Sequence, residues 1–197
     1  MADDALKQPR LELAAAAKAL ADMRAAKSLD EFEIEWRSCL NHLEKAWQKT
    51  ERCCQHVRAE FQPWQGEFHK LRKKDMLLRY LKQARDADNH SVQDVTKLQP
   101  GSRGYKFMNP RGGFIKHMEI RNGEVVRYEG DPMIVEERPP HPIAVPVKNN
   151  GEWFNPPTSH LGHQIPTPHP ALLAELGIKF YSEYVDQVQK KFFGVEP

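Results

Sequence analysis

Proline and glycine are segregated along this chain. Residues 100–170 hold 12 of the 15 prolines and 8 of the 11 glycines, whereas residues 10–92 hold only Pro63 and Gly66. Proline lacks the backbone donor that a helix interior uses and clashes with the preceding turn, so the first stretch can be helical and the middle one cannot. The predicted fold is mainly α, in three parts: a helical bundle over residues 1–98, a small antiparallel β insertion over 99–169, and a C-terminal helix over 170–197 packing on the bundle. With 197 residues, 40% of them apolar, the chain is long enough for one compact domain or a bundle with an appendage.

The N-terminal half carries helical periodicity. Leu11, Leu13, Leu20 and Met23 lie in an alanine-rich stretch that reads as a weakly amphipathic helix. Ser28 and Glu31 have capping-box spacing. From there Phe32, Trp36, Leu40, Leu43 and Trp47 recur every three or four residues, one apolar stripe on a helix reaching about residue 57. Trp36 and Trp47 belong to that stripe and are expected in the core. Pro63 to Gly66 is expected to interrupt, and a further helix is predicted over residues 67–89. Asp75 either caps a break within it or sits on its solvated face. Leu77, Leu81, Ala84 and Asp88 share one side. After Pro170 the period returns in Leu173, Leu176, Phe180, Tyr184, Val188 and Phe192.

The middle region reads as strand and loop, with its β element expected over residues 103–155. Lys116–Ile120 meets Glu124–Tyr128 across Asn122-Gly123, a pair suited to the positive φ angles of a type I′ hairpin. Asn149-Asn150-Gly151 marks a second turn, between residues 143–147 and 152–154. Pro139, Pro140, Pro142 and Pro146 limit the strand there to an edge or irregular strand. Asn109–Gly113 reads as a tight turn rather than an anion-binding nest. Trp153, beside a turn, is a candidate contact residue.

The segment Arg85-Asp86-Ala87-Asp88-Asn89-His90 closes the predicted helix. An arginine, four intervening residues and a histidine, with a small polar residue directly after the arginine, resemble the Arg-x4–6-His motif of HEPN domains. The placement is similar too, since two long antiparallel helices precede the motif. The resemblance implies an HEPN-like helical bundle, commonly a homodimer. It also implies action on RNA as a metal-independent endoribonuclease, in a bacterial toxin–antitoxin or defence setting with an antitoxin as a protein partner. On that reading His90 is the general acid/base and Arg85 stabilises the phosphate, and Asp86, Asp88 and Asn89 orient them. The chemistry is coherent. Histidine titrates near neutrality, and arginine offers a permanently charged fork matched to phosphate, so no metal or cofactor is expected. The chain departs from some active members, which carry a tyrosine two residues after the histidine, where Val92 stands here. The same residues also have a purely structural reading: Arg85 pairs with acidic neighbours, and His90 faces the negative end of the helix dipole. The alternative function is a non-catalytic helical dimer whose β segment recruits a protein partner.

A charge stripe leads into the motif. Lys70, Arg72, Lys73, Lys74, Arg79, Lys82 and Arg85 stand against Asp75 alone, seven positives minus one negative, a net +6 in sixteen residues. The stripe is either a solvated face or a nucleic-acid-binding track along a phosphate backbone. His160, His163 and His169 lie in a proline-rich loop without CxxC or HExxH and are expected to be incidental rather than zinc ligands. Cys39, Cys53 and Cys54 are an odd number, two of them adjacent, so no disulfide framework is expected. Free buried cysteines behave as small apolar residues, and a reducing cytoplasm is the simplest compartment. No run of about 18 apolar residues exists, so no membrane span is expected. The first residues, with Asp3, Asp4, Glu12 and Asp22 among alanines, lack the apolar core of a secretory signal. The net charge of +2 excludes neither nucleic acid nor protein as a partner.

Overall fold

A computed structural model describes residues 5–194, so Asp3, Asp4 and the outermost ends of the predicted N- and C-terminal segments lie outside the described residues. The chain is mainly α with small antiparallel sheets. Helix α1 (Lys7–Ala25) buries Leu13, Ala16, Leu20 and Met23. In α2 (Leu29–Cys53) the Ser28 Oγ accepts the Glu31 N–H at 3.1 Å, and Glu31 in turn accepts the Lys27 N–H. Each bond satisfies a donor that a helix start or its approach leaves open. The predicted stripe of Phe32, Trp36, Leu40, Leu43 and Trp47 is buried throughout. The helix stops at Cys53, four residues short of expectation, and a 3-10 turn (Gln55–Val57) follows.

The expected interruption at Pro63–Gly66 does not occur, because α3 (Arg58–Lys74) runs through it. Proline at that point forfeits one intrahelical bond. Aromatic packing offsets the loss. Phe61 meets Phe192 at 5.5 Å between ring centroids, Trp64 stacks on Tyr184 at 6.0 Å, and Phe68 meets Tyr184 at 5.0 Å. The real break falls at Asp75, whose extended backbone (ψ 131°) separates α3 from α4 (Met76–His90). Asp75 is therefore the cap, its Oδ1 accepting the Leu78 N–H at 3.0 Å.

Ten short strands follow: β1 (Thr96–Gln99), β2 (Ser102–Phe107), β3 (Ile115–Arg121), β4 (Glu124–Gly130), β5 (Met133–Arg138), β6 (His141–Ala144), β7 (Val147–Asn149), β8 (Glu152–Phe154), β9 (Ser159–His160) and β10 (His163–Gln164). They pair antiparallel as β2 with β5, β3 with β4, β7 with β8 and β9 with β10, while β1 pairs with β6. Both asparagine–glycine turns adopt the expected positive φ angles, 51° and 82° at Asn122-Gly123 and 49° and 85° at Asn150-Gly151. Asn109 accepts the Gly112 N–H through its carbonyl, the tight turn expected there. Helix α5 (Pro170–Val188) is capped by His169 and ends in a π-helical turn (Gln189–Phe193).

The chain forms two compact units, one of residues 98–141 and one of the helices with everything from Pro142 onward. The predicted insertion over 99–169 is thus too long at its C-terminal side. Ala144, Val147 and Ile165 are buried in the helical core, and the Tyr80 hydroxyl donates to the Val145 carbonyl at 2.7 Å. Within the helical unit, α1 and α5 run antiparallel, since Arg10 pairs with Asp186 and Arg24 with Glu175. Among the described residues no helix is long and apolar enough to cross a membrane.

Candidate functional site

Arg85 and His90 both lie within α4, so the five-residue step sets their side chains about 140° apart around the helix axis. One Nη of Arg85 donates to Asp86 Oδ1 at 2.8 Å, while its Nε is buried without a partner. His90 is exposed in the last turn, with no hydrogen-bond or ion-pair partner among the described residues. Asp86 therefore does stand beside Arg85, and it also receives Lys82 at 3.3 Å. Asp88 and Asn89 do not orient the pair. Asp88 accepts Arg37 at 2.5 Å and Asn89 donates to Asn41 at 3.1 Å, so both fasten α4 to α2. The polar end of the Leu77–Ala84 stripe is a helix-to-helix clasp.

The basic stripe is divided at Asp75 between α3 and α4. Arg72 leaves it altogether. Its side chain is 6% exposed, its Nε donates to the Tyr181 hydroxyl at 3.0 Å, it pairs with Glu44, and its guanidinium lies 4.3 Å above the Trp47 ring. Such a buried cation is held by partners on every side and is not a phosphate ligand. Helical periodicity accounts for this, since Arg72 falls on the inward face of α3 together with Phe61 and Gln65. Lys70, Lys73, Lys74 and Arg79 remain exposed without carboxylate partners among the described residues, whereas Lys82 is neutralised in part by Asp86.

A second constellation was not anticipated. The β9–β10 hairpin brings His160 against Asp75, Nδ1 to Oδ1 at 3.0 Å, and both side chains are nearly buried. The other Asp75 oxygen accepts the Leu161 N–H at 2.7 Å. Burial alone raises the Asp75 pKa, but the bonds from His160, Leu161 and Leu78 outweigh it and hold the carboxyl below its usual value. An ionised carboxylate only accepts, so His160 Nδ1 carries the hydrogen of this bond. His160 also lines a cavity of about 330 Å³ with Leu161, Ile165, Phe180, Lys179 and Glu183. His160 is therefore not incidental. The available signal was the two-residue spacing of His160 and His163 across Leu161-Gly162, a hairpin spacing masked by a leucine where asparagine is usual. His169 serves elsewhere, accepting the Ala171 N–H at 3.2 Å. Among the described residues no group of three or more His, Cys, Asp or Glu gathers to hold a metal ion. Cys39 and Cys54 are buried, and burial pushes each thiol up to about 12.

Compared with protein-family models, curated proteins and solved structures, the chain matches none.

Proposed function

We propose that this chain is an HEPN-like RNA-binding protein whose α4 helix supplies half of a metal-independent endoribonuclease site. His90 carries the reading, because its imidazole stands exposed and unpartnered at the helix end. It takes the proton of a ribose 2′-hydroxyl as that oxygen attacks the adjacent phosphorus, and the resulting imidazolium returns a proton to the 5′-oxygen as the P–O5′ bond breaks, leaving a 2′,3′-cyclic phosphate. Arg85 holds the phosphate oxygens through donors that Asp86 leaves unused. Since the two side chains leave α4 about 140° apart, the centre is completed in a homodimer, His90 of one copy meeting Arg85 of the other. Lys70, Lys73, Lys74 and Arg79 bring the RNA backbone to it. A toxin–antitoxin or defence role, with an antitoxin as partner, rests on the family resemblance alone.

The test is incubation with labelled RNA, with and without chelator. Cleavage by the wild type is expected to survive chelation and to fall at least ~100-fold in His90→Ala. Equal cleavage by the variant removes His90 from the mechanism. No cleavage by the wild type favours a second reading, a non-catalytic helical dimer whose β segment recruits a protein. That reading has its own support: no residue between 98 and 141 is buried, while Met108, Phe114, Ile120, Val126 and Val135 are exposed there.

A further inference from the structure

We infer that the cavity behind the β9–β10 turn is a binding site for a free apolar α-amino acid. The strongest pointer is Leu161, which holds φ at 47°. A non-glycine residue in that region is uncommon, and a branched apolar one is strained. The two other turns of this kind among the described residues place asparagine there, at Asn122 and Asn150. A hairpin serving only as cover needs no leucine at this position. Here Leu161 is held in place by Asp75 and forms part of the cavity wall.

The rest of the lining divides by chemistry, and besides the groups below it includes the polar His163 and Gln164. Leu161, Ile165, Leu176 and Phe180 supply an apolar wall, and the volume of about 330 Å³ is at the small end of ligand sites. Lys179 and Glu183 stand one turn apart on α5, at the spacing where opposite charges usually meet. Neither has an ion-pair or hydrogen-bond partner among the described residues, and both line the cavity. The lysine precedes the glutamate, the weaker order for a pair within one helix. An ammonium and a carboxylate facing one cavity without neutralising each other complement a zwitterion. The ligand carboxylate meets Lys179. Its ammonium donates to Glu183. The apolar side chain lies against Leu161 and Phe180. A phosphate ligand fits less well, because Glu183 repels it. The site is independent of the α4 motif and does not rest on the RNA reading.

The experiment titrates the full chain with L-leucine and L-phenylalanine by calorimetry, alongside N-acetyl-L-leucine and L-leucinamide. At least one free amino acid is expected to bind saturably, with each blocked derivative at least tenfold weaker. Lys179→Gln and Glu183→Gln, both at exposed positions, are each expected to weaken binding at least tenfold without moving the melting temperature. Leu161→Asn relaxes the turn, so it raises the melting temperature while weakening binding. Absence of binding by both amino acids overturns the inference, and so does equal binding of the blocked derivatives.

Discussion

Asp75 shows how much one side chain can settle. It caps α4, fixes Leu161 and holds His160 Nδ1, three bonds through two oxygens. Its pKa is lower in the fold than in the open chain, so the sign of its contribution is determined. The stabilisation is present above the unfolded value, about 4, and is lost as pH falls through the folded one. Asp75→Asn keeps a good cap but loses the charge. Urea unfolding is expected to show the variant about 2 kcal/mol less stable at pH 7. That gap should close as pH falls toward the folded pKa, and a constant gap would separate His160 from the effect. At this scale the residue types were legible, and so was one of the two roles open to Asp75. Its link to His160 was not, because 85 residues separate them and only the fold brings them together.

Helix α5 shows what an element needs from its neighbours. Gly177 sits in its interior, where glycine costs about 1 kcal/mol relative to alanine. The reason is close approach: an added Cβ would come within 2.7 Å of Leu81 Cδ1 and 3.1 Å of Leu43 Cδ1. The glycine lets α5 settle against α2 and α4. Gly177→Val is expected to cost about 2 kcal/mol by overpacking this contact, read as a lower melting temperature. No loss would mean the leucines move aside freely. The helices themselves were legible from the stripes of α2 and α5, whose periodicity is local. The extent of α3 was not, because the aromatic contacts that carry it through Pro63 reach to Tyr184 and Phe192, residues from the other end of the chain.

Across the molecule, burial is distributed unevenly. The core comes from the helices with Ala144, Val147 and Ile165, and it includes the Arg72–Glu44–Tyr181 cluster against the face of Trp47. Residues 98–141 have two hairpins' worth of hydrogen bonds and not one buried side chain. Two-stranded ribbons without a packed face are marginally stable. Amide hydrogen exchange on the full chain is expected to show β2–β5 exchanging well ahead of α2, α4 and α5. Matching protection would mean that a partner or a second copy covers those strands in solution.

Local chemistry alone was enough for the helical periodicity, the asparagine–glycine turns, the Ser28 cap and the placement of His90 at the end of α4. Each depends on residues a few positions apart. Three features waited on tertiary structure: the burial of Arg72, the return of residues 142–169 to the helical unit, and the Asp75–His160 pair at its cavity. In each the deciding partner is remote in sequence, Tyr181 for Arg72, Tyr80 for Val145 and Asp75 for His160. Periodicity records which face of an element is apolar, but not which distant element will cover it.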